Sequence, residues 1–185
     1  MITTVIGAYP KPNFLKLPDW FQANKGTDTD HPTKDYNNAI ENMGDDTESI
    51  FQKAAKEVIA DQLESGIDII TDGEVRRENY IHYHCRHLEG IDFNNLTKKI
   101  ARTGNYECWL PTIINKIEPK DSFLVHDWTV AQRFSVKPVK ITIPGPMTIT
   151  DTIANKFYSS NKDLGQDLAK AINNEIKNLV KAGCK

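Results

Sequence analysis

Two carboxylates separated by a single glycine, Asp72-Gly73-Glu74, follow a short apolar segment that runs from Ile67 to Thr71. The apolar segment predicts a buried strand, and Gly73 allows the backbone to bend where that strand stops. A carboxylate at such a point can accept a proton or the hydrogen bonds of an ammonium group. The same pattern is typical of a solvated loop at a strand end, so the spacing alone leaves both interpretations open.

Two other predicted strands end in similar turns. Residues 2–6 are followed by Gly7-Ala8-Tyr9-Pro10, and residues 139–143 are followed by Pro144-Gly145-Pro146. Helical periodicity separates the three strands, which predicts an α/β fold built from parallel βαβ units. Because the carboxyl ends of parallel strands meet at one edge of a sheet, we expect these turns to form one site.

The remaining segments carry weaker patterns. We expect a helix from Asp45 to Gly66, a helix over residues 79–90 and a helix from Phe123 to Phe134. A last helix carries an apolar face between Leu164 and Val180 and stops at Gly183. Strand-like pieces at residues 98–102 and 112–117 predict a hairpin or another excursion of the chain. The polar segment Lys16–Asp45 predicts a long surface loop, alone or with one short helix.

Composition excludes several classes of function. The chain has 185 residues, 39% of them hydrophobic, and a formal net charge of −2, so we expect one globular domain without a nucleic-acid partner. No apolar stretch is long enough to cross a membrane, and the first residues lack the pattern of a signal peptide. Three widely spaced cysteines favour a reducing, cytoplasmic location.

A second cluster of reactive side chains lies at His82, His84, Cys85 and His87. Zinc takes such ligands, and Cys108 could join them. Adjacent residues on one short helix do not surround a metal tetrahedrally, however. We therefore predict no metal site in this chain and interpret the cluster as part of an amphipathic helix.

Four motifs occur in an order that resembles one family: "TTVIGAYP", "GIDIITDGEVRREN", "KPVKITIPGPMTI" and "EIKNLVKAGCK". The chain resembles the catalytic domain of cobalamin-independent methionine synthase, within the superfamily that also includes uroporphyrinogen decarboxylase. The resemblance runs from residue 2 to residue 185 and is weakest over residues 91–135. It implies a (β/α)₈ TIM barrel, of which this chain would be a single partial domain, the amino-terminal half with strands one to three.

The resemblance also implies an activity, a methyl transfer from methylated folate or a methylcobamide to the homocysteine thiol. Substrate binding would fall to Ile6, Gly7 and Ala8 in the first turn and to Glu74, which would hold the substrate ammonium. Ala8 replaces the serine that is usual in that turn.

Secondary contacts are expected from Asp72, Arg76 and Asn79. Arg76 and its neighbour Arg77 could bind a carboxylate or the folate tail, or could form surface salt bridges. Zinc would activate the thiol, but its family ligands belong to the second half of the barrel, so we expect no catalytic residue in this half.

Other activities fit the same motifs. Three alternatives remain open. They are a zinc thiol-alkyl transferase acting on another thiol, a uroporphyrinogen decarboxylase-like enzyme, and a non-catalytic half-barrel that binds an amino acid. A half-barrel would leave edge strands and an apolar face uncovered, so we expect self-association or pairing with a second half-barrel.

Overall fold

The computed structural model describes residues 1–18, 32–101 and 106–185. Its helices are α1 (Pro32–Met43), α2 (Thr47–Glu64), α3 (Tyr80–Arg86), α4 (Leu124–Arg133), α5 (Pro146–Thr152) and α6 (Asn161–Ala182). Its strands are β1 (Ile70–Thr71), β2 (Leu88–Ala101), β3 (Tyr106–Pro119), β4 (Val139–Lys140) and β5 (Ala154–Asn155).

Strand β1 lies between two parallel neighbours. On one side Thr4 forms a parallel bridge with Ile69, and on the other Ile70 pairs with Val139 of β4. Helix α2 connects the first segment to β1, and α4 precedes β4. The predicted α/β order of parallel strands linked by helices is therefore confirmed.

The three predicted strands are shorter than expected, and side chains bond some of the backbone groups beside them. The side-chain amide of Gln62 donates to the carbonyl of Thr71 at 3.0 Å and accepts from its N–H at 2.9 Å. The ammonium of Lys140 donates to the carbonyl of Val5 at 2.6 Å. These bonds satisfy strand groups that a longer ladder would otherwise satisfy.

Residues 139–143 still alternate as a strand does. Val139, Ile141 and Ile143 belong to the apolar cluster that covers one face of the sheet. Lys140 and Thr142 instead make polar contacts on the opposite face. The strand segment thus delivers two polar side chains to the same side as the turn at Glu74.

Three apolar clusters hold the fold together. One lies between α1, α2 and the first turn, a second lies between the sheet, α2, α4 and α6, and a third joins the hairpin to α3, α5 and α6. The helix expected between Asp45 and Gly66 is confirmed as α2, whose buried residues include Phe51, Ala54, Ala55, Val58 and Ile59. Helix α2 therefore packs against both the first turn and the sheet.

The expected helix over residues 79–90 is wrong in its second half. Helix α3 ends at Arg86, and β2 begins at Leu88. Gly90 does not end the helix; it lies in β2 at a register shift, with a φ of +86°. A Cβ atom there would lie 2.4 Å from the carbonyl oxygen of Lys116, so the glycine allows the two strands to approach.

The hairpin itself is confirmed, and it is longer than predicted. Strands β2 and β3 are antiparallel, and β5 adds a parallel third strand to β3. Residues 102–105, which include one end of the predicted strand, lie outside the described residues.

The one helix allowed for in the polar segment Lys16–Asp45 forms as α1, which at 12 residues is longer than expected. Tyr36, Ala39, Ile40 and Met43 recur at helical spacing and pack against α2. Many polar residues around these four hide the pattern in the sequence. Residues 19–31 of the predicted loop lie outside the described residues.

The later helices agree with the sequence. Helix α4 matches the predicted Phe123–Phe134 within one residue at each end, and α6 ends at Gly183, which has a φ of +102°. Helix α5 and strand β5 were not predicted. Pro146 occupies the first turn of α5, where a missing N–H costs nothing, so this proline begins a helix as well as ending a strand.

Several large apolar side chains face solvent, among them Ile6, Val136, Met147 and Val180. Ile176 and Val180 belong to the predicted apolar face of α6 but are exposed, whereas Leu164, Leu168 and Leu179 of that face are buried. Self-association or pairing stays a prediction. None of the helices in the described ranges has the length and apolarity that crossing a membrane requires.

We expect Gln62→Leu to destabilise the chain by about 3 kcal/mol, because two buried backbone groups of Thr71 lose their partners at about 1–3 kcal/mol each. Urea unfolding of the purified chain measures the change. Gln52→Leu on the same helix removes a single half-buried bond to Glu48 and should cost less than about 1 kcal/mol. Equal losses in the two variants would contradict the role of Gln62.

Candidate functional site

Three strand-end segments meet in one place, at Gly7, Glu74 and Thr142. The carboxylate oxygen Oε1 of Glu74 lies 2.5 Å from the hydroxyl of Thr142. A Cβ atom on Gly7 would lie 2.5 Å from the same Oε1 and 2.9 Å from the methyl carbon of Thr142. A side chain at position 7 would clash with the carboxylate of Glu74, because the backbone of the first turn passes directly beside it, so this position requires glycine.

The turn that carries Glu74 has an uncommon backbone. Gly73 has a φ of +69°, and Glu74 follows with a φ of +53°, the positive φ of a non-glycine residue. The carboxylate of Asp72 accepts from the N–H of Glu74 at 3.2 Å, and the hydroxyl of Thr71 accepts from the N–H of Gly73 at 3.1 Å. Such a conformation costs free energy and persists where the surroundings fix it, often at a functional site.

Arg77 supplies the positive charge of this turn. Its side chain is 1% exposed, and one guanidinium nitrogen, Nη1, donates to the carbonyl and the hydroxyl of Thr142 at 3.0 and 2.9 Å. The carboxylates of Asp72 and Glu74 lie 3.5 Å from the guanidinium. Burial disfavours the cation, but these two carboxylates outweigh it and raise the pKa of Arg77.

A second group of ion pairs, formed by Arg76, Glu48 and Asp127, adjoins the first group of Asp72, Glu74 and Arg77. Arg76 makes two hydrogen bonds to the carboxylate of Glu48, at 2.7 and 2.8 Å, and its Nε lies 3.3 Å from Asp127. The bonds from Arg76 lower the pKa of Glu48 to about 2. Burial raises the pKa of Asp127, although Arg76 and Arg77 oppose it, and Tyr83 donates to this carboxylate at 3.0 Å.

The first group carries an excess of negative charge, because the single guanidinium of Arg77 faces the two carboxylates of Asp72 and Glu74. A buried site with excess negative charge favours a cationic ligand, because the positive charge of the ligand compensates the carboxylate charge that the protein does not. Glu74 is also placed for this role, as no hydrogen bond to its second oxygen, Oε2, occurs within the described ranges.

The other predicted site residues lie around this centre in different ways. Ile6 is 94% exposed and Ala8 is exposed, so the first turn offers them to solvent beside Gly7. Asn79 caps α3, accepting from the N–H groups of Ile81 and His82.

Asp72 and Arg76 both serve the protein's own structure. Asp72 fixes the turn before Glu74. Arg76 is buried and pairs with the buried carboxylate of Asp127 and with the partly exposed carboxylate of Glu48.

Sequence reasoning missed Thr142, which contacts both Glu74 and Arg77. The signal was present in the strand segment "VKITI", where Lys140 and Thr142 interrupt the apolar residues at alternate positions. Alternation of this kind places polar side chains on one face of a strand. It does not say which residues of another segment they meet.

The histidine and cysteine cluster is divided among different neighbours. The Nδ1–H group of His84 donates to the carbonyl of Tyr80 at 2.6 Å, and the ring of His87 stacks on Phe123 with its Nδ1 2.7 Å from Asp121. Burial raises the pKa of the Cys85 thiol to about 12.

No group of three or more His, Cys, Asp or Glu side chains is placed to hold a metal ion within residues 1–18, 32–101 and 106–185. The side chain of Cys108 lies outside the description.

The sequence profile of one family, described as the catalytic domain of cobalamin-independent synthase, matches the chain from residue 1 to residue 185. The chain belongs to this family. It is 36% identical over 184 residues to the methionine synthase of Saccharolobus solfataricus, a match that covers 99% of this chain and 50% of that protein. The methionine synthase of Sulfolobus acidocaldarius is 33% identical, with 99% and 49% covered.

A solved structure agrees with the family. The B12-independent methionine synthase of a Shewanella species, in complex with selenomethionine, superposes on this chain with a TM-score of 0.75 and 27% identity, covering 98% of this chain and 48% of that one. The resemblance predicted from the four motifs is confirmed. The chain spans about half the length of the curated relatives that it matches.

In this member of the cobalamin-independent synthase family, we expect Gly7→Ala to displace the carboxylate of Glu74 and to cost about 1–3 kcal/mol of stability through overpacking. Urea unfolding measures the cost, and a crystal structure locates the displaced side chain. Gly165→Ala is the matched control, because no atom lies within 4 Å of its added methyl. That control lies in α6 and should gain about 0.5–1 kcal/mol. A Gly7→Ala variant as stable as the parent would contradict the crowding.

A second prediction concerns pH and His84. Burial and the charge of Arg77 lower the pKa of His84 to about 3, below the ordinary value of 6.5. As the pH falls through 6.5, the unfolded chain binds a proton that the folded ring resists, so stability falls by up to about 1.4 kcal/mol per pH unit. His84→Asn retains a donor for the Tyr80 carbonyl and should remove this slope between pH 6.5 and 5.

Urea unfolding at several pH values measures the slope. An identical slope in the His84→Asn variant and the parent would rule out His84 as its source.

Proposed function

We propose that this chain forms the amino-terminal part of a TIM barrel that transfers a methyl group from methylated folate, or from a methylcobamide, to the thiol of homocysteine. The observation that carries the proposal is the convergence of Gly7, Glu74 and Thr142 at the carboxyl ends of parallel strands. Sites of α/β barrels lie at this edge. Membership of the cobalamin-independent synthase family, together with relatives named methionine synthase, supports the reaction class.

Within this proposal, Glu74 holds the ammonium group of the amino-acid substrate. Its Oε2 accepts no hydrogen bond from the described residues, so it can accept one from a ligand. The backbone of Ile6, Gly7 and Ala8 lines the same place, and a glycine there lets a ligand approach the chain closely. The Shewanella enzyme was solved with selenomethionine, a close analogue of the expected product, which supports an amino-acid ligand for this chain.

The methyl donor has less support from the described residues. Arg76, a candidate for the carboxylate of a folate tail, already bonds Glu48 and Asp127. Arg77 is buried against Asp72, Glu74 and Thr142. We therefore assign neither arginine to the donor, and Asn79 is occupied as a helix cap.

Zinc does not fit the described part of this chain, which brings no three suitable side chains together. We propose that the zinc ligands belong to the part of the family that this chain does not span. The residues of this chain then bind and orient the amino acid, and thiol activation is supplied from elsewhere. A cytoplasmic location stays a prediction.

A non-catalytic amino-acid-binding unit is the second candidate. The lack of a metal-binding group within the described ranges favours it for the chain by itself. Both candidates share the Glu74 subsite, so they differ in chemistry and not in where the amino acid binds.

We expect Glu74→Gln to weaken binding of L-homocysteine and L-methionine by about 5- to 150-fold, because a charge-assisted hydrogen bond worth roughly 1–3 kcal/mol becomes a neutral one. Titrations followed by the amide shifts of ¹⁵N-labelled chain measure both affinities. Glu89→Gln, at an exposed hairpin carboxylate, is the control. Undiminished affinity in the Glu74→Gln variant would mean that Glu74 is a strand-end residue without a binding role.

We also expect residues 1–185 alone to have no methyltransferase activity, because the described residues provide no metal site for the thiol. The assay supplies L-homocysteine, zinc and a methylated folate or methylcobamide, and product methionine is measured by mass spectrometry. Methionine formation that scales with the concentration of the purified chain would overturn this expectation.

A further inference from the structure

The hydroxyl of Thr142 lies between two opposite charges of the candidate site. Its oxygen is 2.5 Å from Oε1 of Glu74 and 2.9 Å from Nη1 of Arg77. The direct distance between that Nη1 and Oε1 is 3.5 Å, which is longer than a good hydrogen bond. The hydroxyl thus accepts from the guanidinium and donates to the carboxylate, and it stands where a direct ion pair would otherwise close.

This arrangement determines how much of the Glu74 carboxylate remains for a ligand. Arginine and a carboxylate usually pair through two parallel hydrogen bonds, which engage both carboxylate oxygens. With Thr142 between them, only Oε1 is engaged by a hydrogen bond from the described residues. The second oxygen keeps its capacity to accept from a cation.

Thr142 is itself held in place independently of its hydroxyl. Its carbonyl accepts from Nη1 of Arg77 at 3.0 Å, and its methyl group lies beside Gly7. A valine at this position keeps the backbone bond and a methyl group but loses the hydroxyl. A serine keeps the hydroxyl and loses the methyl.

We propose that Thr142 is a positioning residue, whose hydroxyl keeps Arg77 from closing on Glu74 and so leaves Oε2 of Glu74 available to the ammonium group of the ligand. The inference rests on the proposed function, because it takes the ligand to be an amino acid held through its amino group. Without the hydroxyl, the guanidinium and the carboxylate close into a direct pair, and the ligand must compete with that pair.

The test compares Thr142→Val, Thr142→Ser and the parent chain with two ligands. One ligand is L-methionine, and the other is γ-(methylthio)butyrate, the same thioether acid without the amino group. Thr142→Val should bind L-methionine about tenfold more weakly, as expected for one hydrogen bond to a charged group. The variant should bind the amine-free acid as the parent does, and Thr142→Ser should retain parental affinity for both ligands.

Two outcomes would overturn the inference in the binding experiment. Undiminished L-methionine affinity in Thr142→Val would remove the role of the hydroxyl. An equal loss for both ligands would reduce Thr142 to a structural residue. Urea unfolding of each variant accompanies the titrations, and Thr142→Ser continues the test if the valine variant does not fold.

A ligand-free measurement separates this inference from the proposed function. Three-bond NMR couplings report the side-chain rotamers of Glu74 in the parent and in both variants. We expect one rotamer in the parent and in Thr142→Ser, and a changed or averaged rotamer in Thr142→Val; an unchanged rotamer there overturns the inference. Failure of the parent chain to bind L-methionine, or of Glu74→Gln to weaken that binding, counts against the proposed function, and the couplings still decide the role of Thr142.

Discussion

The carboxylate of Glu74 is buried in a strained turn, and much of the surrounding structure accommodates that one charge. Asp72 and Thr71 hold the left-handed backbone of Gly73 and Glu74, while the guanidinium of Arg77 lies 3.5 Å from the carboxylates of Asp72 and Glu74. Gly7 leaves space for the side chain, and a second pair of ions lies behind the first. Burying a carboxylate without hydrogen bonds or an opposite charge is costly, and these neighbours supply both.

The sheet that supports this turn is short in backbone pairing but is held at many points by side chains. Gln62 couples α2 to the end of β1, and Lys140 spans from β4 to the first segment. Thr71 bonds the carbonyl of Gly7 at 2.9 Å, so the first turn and the second are joined directly. Hydrogen bonds between different segments of the chain thus fix the relative positions of the three strand ends that form the site.

Local patterns predicted the parts of the fold that depend on neighbours in sequence. Glycine and carboxylate after an apolar run indicated the turn at Glu74, and helical periodicity indicated α2, α4 and α6. The polar residues between the four apolar residues of α1 hide the length of that helix, and Gly90 resembles a helix stop because a strand bulge requires the same backbone freedom. The contact of Thr142 with Glu74 joins residues that are 68 positions apart, and no local pattern specifies such a pairing.

Lys140 has a further consequence for the polar face of the strand segment that also carries Thr142. Its ammonium lies on the same side as Thr142 and carries three hydrogen atoms, of which the Val5 carbonyl receives one within the described ranges. An entirely apolar segment packed over this face would bury the ammonium group of Lys140 without acceptors for its remaining hydrogen atoms, and the desolvation cost would be high. Any segment that packed over Lys140 would therefore need carbonyl, carboxylate or hydroxyl oxygen atoms within hydrogen-bond distance of the ammonium.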